Sequence, residues 1–202
     1  MKLHSYLALG DSYTIGEQVR IYESFPYQTV QLLRKKGFSF YAPEIVAVTG
    51  FTTDELNNLI NETKLQAQYD FVSLLIGVNN QYRGRALDNY RQEYTQLLDT
   101  AIRYANGHVN NVFVLSIPDW GVTPFAEGRD RAQIAKDIDA YNAACKDVTL
   151  AHKCHYLDIT DSTRKNGTTP DYLAEDGLHP SGKEYKIWAE RLMPMVAKVL
   201  KG

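Results

Sequence analysis

Short runs of consecutive apolar residues alternate along this chain with longer segments whose apolar positions recur every three or four residues. The runs cover residues 6–9, 44–48, 70–76, 111–117 and 155–159, and their length and β-branched or aromatic content predict strands. The periodic segments, at 25–36, 53–63, 87–106, 129–152 and 183–200, predict helices. Several helix ends are marked explicitly. Gly37 stops the first helix, while Thr52 with Glu55 and Ser181 with Glu184 have capping-box spacing. Pro194 inside the last segment predicts a kink near Arg191. No repeat, low-complexity tract or linker breaks the alternation, so a single domain over residues 1–202 is expected.

Strands that alternate with helices and are apolar throughout belong in a parallel sheet covered on both faces and built from right-handed crossovers. The expected fold class is therefore α/β, a three-layer α/β/α sandwich around a five-stranded parallel sheet. Such sheets bind ligands beyond the carboxyl ends of their strands. The loops expected there hold Ser12 after the first strand, Gly50 after the second, Asn79 and Asn80 after the third, Trp120 after the fourth, and Asp176 with His179 after the fifth.

Charge and cysteine content narrow the partners. With 22 Lys+Arg against 24 Asp+Glu the chain has no basic footprint for nucleic acid or an anionic membrane surface, and a small-molecule partner is expected. No apolar run approaches the roughly 20 residues of a membrane span, and no secretory h-region precedes the first strand, which makes a cytoplasmic protein the expectation. Oligomeric state has no signature in the sequence. Cys145 and Cys154 are too few for a disulfide framework, and with His152 and His155 they match no usual zinc spacing, so no metal is expected.

Two separated motifs carry chemistry: Gly10-Asp11-Ser12-Tyr13 near the start and Asp176-Gly177-Leu178-His179 near the end. A serine hydroxyl becomes a useful nucleophile when a neutral imidazole takes its proton, and a carboxylate fixes that imidazole's tautomer. Acyl transfer also needs donors aimed at the developing oxyanion. The candidates are the backbone N–H of Ser12 at a helix start, the backbone N–H of Gly50, where a missing Cβ admits substrate, and the side-chain amide of Asn79. Taken singly, each has an ordinary structural reading: Ser12 as a helix cap, Gly50 as a turn residue, Asn79 and Asn80 as loop-bonding amides, His179 as a surface residue. Gathered on one rim, they make a catalytic set.

That set resembles the SGNH (GDSL-type) hydrolase family, whose serine, glycine, asparagine and histidine stand in separate blocks. The blocks match here at Gly10-Asp11-Ser12-Tyr13, at Gly50, at Gly77-Val78-Asn79 and at Asp176-x-x-His179, in the same order over nearly the whole chain. The resemblance implies a flavodoxin-like sandwich, Ser12 as nucleophile, His179 as base, Asp176 as its orienting acid, and Ser12, Gly50 and Asn79 as the oxyanion hole. It implies no cofactor. It also implies an esterase, with simple esters, lysophospholipids, thioesters and acetylated carbohydrates as the range of substrates. One departure stands out: the family's asparagine is usually followed by aspartate, and this chain has Asn80. The α/β-hydrolase elbow G-x-S-x-G is not matched, because Thr14 replaces its second glycine.

Around the rim Tyr13, Tyr22, Tyr82, Trp120, Phe125 and Tyr172 suit apolar chains or sugar faces. In Tyr82-Arg83-Gly84-Arg85 the two cations, Arg83 and Arg85, suit an anionic group on the alcohol half of an ester, or else pair with surface acids. The rival reading is a non-catalytic or nucleotide-binding module on the same scaffold, with residues 10–14 cradling a phosphate. It calls for a glycine-rich phosphate loop that the sequence does not contain, and it leaves Asp176 and His179 without a role.

Overall fold

The computed structural model describes residues 2–201. Among the described residues there are seven strands: β1 (Leu3–His4), β2 (Tyr6–Asp11), β3 (Ser39–Phe40), β4 (Glu44–Val48), β5 (Phe71–Leu75), β6 (Val112–Leu115) and β7 (His155–Leu157). The helices are α1 (Ser12–Ile15), α2 (Phe25–Lys35), α3 (Thr53–Glu62), α4 (Val78–Tyr82), α5 (Leu87–Tyr104), α6 (Arg131–Ala151), α7 (Thr160–Asn166) and α8 (Gly182–Lys201). Five strands form one parallel sheet in the order β4-β2-β5-β6-β7, and β1 pairs with β3 in a two-stranded parallel extension. Every residue of β2, β5 and β6 is buried, whereas β4 and β7 at the edges are half-buried. This gradient explains why the central strands read as unbroken apolar runs.

Helix α2 packs on α8, and α3, α5 and α6 pack in series, so the sheet is sandwiched between two helical layers. Numbered by position among the five sheet strands, the order is 2-1-3-4-5, the flavodoxin-like arrangement. The direction in which successive strands are added reverses between the first and third strands, and a crevice opens there at their carboxyl ends. Here those strands are β2 and β5, and they deliver Ser12 and Asn79 to the crevice.

Each predicted strand and long helix is present. The capping box at Thr52 forms, with Glu55 accepting the Thr52 N–H at 2.9 Å. The second predicted box does not. Glu184 turns inward and is buried, accepting from Asn166 Nδ2 at 2.7 Å, from Trp188 Nε1 at 2.9 Å and from the Ser162 hydroxyl. The Ser181 N–H goes instead to the Tyr172 carbonyl. Helix α8 runs through Pro194 without interruption. No helix among the described residues is long and apolar enough to cross a membrane.

Candidate active site

Strand β2 ends at Asp11, which caps the four-residue helix α1 by accepting the Tyr13 N–H at 3.0 Å. Ser12 is therefore the first residue of that helix, where backbone N–H groups have no intrahelical acceptor. At the other end of the chain, Asp176 divides its carboxylate between two tasks. Oδ1 accepts the backbone N–H groups of Leu178 and His179, both at 3.0 Å, and so shapes the turn. Oδ2 lies 2.5 Å from His179 Nδ1. The second ring nitrogen, Nε2, lies 2.9 Å from the Ser12 hydroxyl.

This geometry fixes the proton positions. Partial burial opposes ionisation of Asp176, but bonds from the His179 ring and from the backbone N–H groups of His179 and Leu178 outweigh it and hold the carboxyl below its usual range. An ionised carboxylate only accepts, so Nδ1 carries a proton, and in the neutral form of the ring Nε2 presents a lone pair to Ser12. His179 is buried and packs against the Tyr13 ring at a centroid distance of 5.2 Å.

Gly50 and Asn79 face the same crevice. Gly50 has φ +81°, a left-handed conformation that suits glycine. Gly77 precedes α4 at φ +132°, and a Cβ there would meet the Tyr90 ring at 2.6 Å. Asn79 Nδ2 donates to the Phe51 carbonyl at 3.0 Å and lies 3.5 Å from Asp11 Oδ2. The second contact is too long to hold a proton firmly, so that amide hydrogen can turn to a substrate oxygen. Complete burial pushes the Asp11 carboxyl up to about 7, against the stabilising bond from the Tyr13 N–H. Asp11 therefore keeps part of its population protonated near neutral pH.

Asn80 and the two arginines, read as loop residues and cations in the sequence, tie this loop to the start of α3. Asn80 Oδ1 accepts the Thr53 N–H at 3.1 Å, and its Nδ2 donates to the Thr53 hydroxyl at 2.7 Å; that hydroxyl in turn donates to Glu93. Arg83 donates to the Gly50 carbonyl at 2.6 Å and to Glu55 at 3.0 Å, and Arg85 donates to Asp54 at 2.5 Å. Both guanidinium groups are thus already engaged, Arg83 with a carboxylate and a backbone carbonyl and Arg85 with carboxylates. On the far side of Gly50, the Thr49 hydroxyl bonds to Glu17.

The crevice has a volume of about 170 Å³ and is walled by Tyr13, Val78, Tyr82, Trp120, Phe125 and Leu178 around Ser12, Gly50, Asn79 and His179. Tyr82 is 45% exposed and stands edge-on to Trp120 at 5.2 Å. Trp120 is buried, with Nε1 donating to Gln81 Oε1 at 2.8 Å. Tyr172 lies behind this wall, in a smaller adjoining cavity, and Tyr22 is bound to Arg20 away from the crevice lining. Gln81, Val78 and Leu178 are lining or supporting residues that sequence reasoning did not single out; Gln81 has no local signal, because its partner is 39 positions away.

Residues 8–187 match the GDSL-like Lipase/Acylhydrolase family. No curated protein matches the chain by sequence. Among solved structures, the lipase/acylhydrolase from Enterococcus faecalis superposes with a TM-score of 0.74 at 20% identity, covering 98% of this chain and 96% of that one. The acetylxylan esterase Axe2 from Geobacillus stearothermophilus gives 0.75 at 19% identity over 96% and 94%. The psychrotrophic esterase EstA from Pseudoalteromonas sp. gives 0.70 at 13% identity over 98% and 100%. At these identities the likeness establishes the fold.

Proposed function

The chain belongs to the GDSL-like lipase/acylhydrolase family, and on that footing we propose that it is a serine esterase that cleaves carboxylic esters through an acyl-Ser12 intermediate. The observation that carries this reading is the unbroken hydrogen-bonded line from Asp176 through His179 to the Ser12 hydroxyl, at 2.5 and 2.9 Å.

His179 Nε2 takes the Ser12 proton as the hydroxyl oxygen attacks the carbonyl carbon. The carbonyl electrons move onto its oxygen, which the N–H groups of Ser12 and Gly50 and the Asn79 amide receive; each such donor typically contributes about 3 kcal/mol. Collapse of the tetrahedral adduct breaks the bond to the alcohol oxygen, and the imidazolium returns its proton to the departing alkoxide. Water then attacks the acyl-serine by the same sequence and releases the acid. Asp176 stays ionised throughout and stabilises the imidazolium.

The test is stoichiometric labelling of Ser12 by a fluorophosphonate, combined with turnover of p-nitrophenyl acetate. Ser12→Ala should lose labelling and at least about a thousandfold in kcat while keeping the wild-type melting temperature. Undiminished turnover in that variant would end the proposal.

A further inference from the structure

Three residues of the crevice wall, Tyr13, Trp120 and Leu178, also line the second cavity behind it. That cavity has a volume of about 20 Å³, little more than one water, and is continued by Pro118, Tyr172 and Leu173, with Asp119, Asn166 and Glu184, all engaged in hydrogen bonds, also in its lining. Trp120 is therefore a partition. The indole is only 5% exposed, and it is held from three directions: Nε1 donates to Gln81 at 2.8 Å, Tyr82 meets it edge-on at 5.2 Å, and Phe125 does so at 6.1 Å. A ring held in this way cannot swing aside for a lengthening chain without losing a buried hydrogen bond and two aromatic contacts.

None of the eleven residues lining the crevice, among those described, is Asp, Glu, Lys or Arg. The wall beyond Ser12 is aromatic and aliphatic, suited to a short uncharged hydrocarbon group.

We propose that Trp120 closes the acyl end of the crevice, so that the enzyme selects esters of short, uncharged acyl groups, acetyl to butyryl, and excludes medium and long chains. This inference rests on the ester-hydrolase reading given above and deepens it. Removing the indole joins the two cavities and extends the acyl site.

The experiment compares kcat/KM for p-nitrophenyl acetate, butyrate, hexanoate and octanoate on wild type, Trp120→Ala, Trp120→Leu and Trp120→Phe, with a parallel series of acetates of lengthening alcohols. The wild type should fall at least about tenfold between butyrate and octanoate. Trp120→Ala and Trp120→Leu should raise the octanoate-to-acetate ratio at least about tenfold, while Trp120→Phe keeps the wild-type order. The leucine variant retains apolar bulk if alanine compromises folding, and the wild-type profile is itself decisive: equal rates on butyrate and octanoate overturn the assignment. So does an unchanged profile in folded Trp120 variants, or a change confined to the alcohol series. Wild-type protein with neither fluorophosphonate labelling nor any ester turnover would instead overturn the hydrolase reading, and this assignment with it.

Discussion

Replacing Asn80 by aspartate, the residue usual at this place in the family the sequence resembles, should destabilise this chain, and by an amount that depends on pH. Asn80 is fully buried. Its amide donates to the Thr53 hydroxyl, which is thereby free to donate its single proton to Glu93. An aspartate keeps the acceptor for the Thr53 N–H but turns the donor into a second acceptor. One hydroxyl proton then faces two carboxylates, and one of them loses a charge-assisted bond worth about 1.5–3 kcal/mol. The N-terminus of α3 returns about 0.3–1 kcal/mol to the new charge. Desolvation of the buried charge adds to this, so the net loss is at least about 1–2 kcal/mol, a fall in Tm of at least about 2–8 °C for a chain of this length. Protonation repairs the defect, because a carboxylic O–H can donate to Thr53 as the amide did. The new group's folded-state pKa therefore lies above its unfolded value of about 3.9. The deficit is fully present above the folded pKa and disappears as pH falls toward the unfolded one. Urea unfolding of wild type and Asn80→Asp at pH 8 and pH 5, followed by circular dichroism, measures the difference. Adding Glu93→Gln should recover part of it at pH 8, since the glutamine amide can donate to Thr53 and let the hydroxyl turn to position 80. A deficit equal at both pH values, or untouched by Glu93→Gln, would refute the reasoning.

Two further perturbations bear on the catalytic loops. Burial raises the Asp11 carboxyl to about 7, above its unfolded value, so the folded state holds this proton more tightly. The group costs the fold nothing below about pH 4 and progressively more as pH rises toward 7. Asp11→Asn, which keeps an acceptor for the Tyr13 N–H, should therefore become more stable relative to wild type between pH 4.5 and 7.5, by up to a few kcal/mol; a pH-independent difference in urea unfolding would contradict this. Arg83→Ala removes the strap between Gly50 and Glu55 and should lower kcat/KM by ~3–10-fold on neutral and anionic esters alike. A loss confined to anionic esters would restore Arg83 as an anion anchor.

The parts of this molecule that the sequence reveals are those whose physics is local or strongly repetitive. The buried strands β2 and β5 are apolar at nearly every position because both faces are covered, and the long helices carry a regular apolar stripe. The motifs at Ser12 and Asp176-x-x-His179 are legible for a similar reason, since their residue types and order along the chain are distinctive before any contact is known. Features that depend on a distant partner were not legible. Helix α4, Val-Asn-Asn-Gln-Tyr, has little helical propensity of its own, and its polar side chains are held by Phe51, Thr53 and Trp120. The β1–β3 pair joins residues 35 or more positions apart. Ser181 and Glu184 have the spacing of a capping box, yet a buried carboxylate with three donors is worth more than an exposed cap. Arg83 and Arg85 look like free cations until α3 supplies their acids.

How the two ends of the chain come to meet at 2.9 Å follows from the packing of α8 on α2. Helix α2 begins about a dozen residues after Ser12, and α8 begins three residues after His179. Trp188 of α8 is fully buried between the Phe25 ring of α2, at 6.0 Å, and the Tyr13 ring beside Ser12, at 6.5 Å. Gln28 of α2 donates both to the Glu23 carbonyl, at 2.6 Å, and to the Gly182 carbonyl at the start of α8, at 2.8 Å. The histidine turn is closed from the other side by the Leu173–Pro180 bridge and the Ala174 N–H bond to the His179 carbonyl at 2.8 Å. The imidazole is thus placed by a helix docked on the element that follows the serine, and the hydroxyl by the end of a central strand. Both supports are anchored in core structure, which fixes the separation of the two side chains. The proposed oxyanion side is built differently, from Gly50 and Asn79 on loops tied together by Asn80, Arg83 and Arg85, and it meets the first half at Asp11, whose carboxylate caps the helix of Ser12 and lies 3.5 Å from Asn79 Nδ2, so perturbations of the two halves are coupled there.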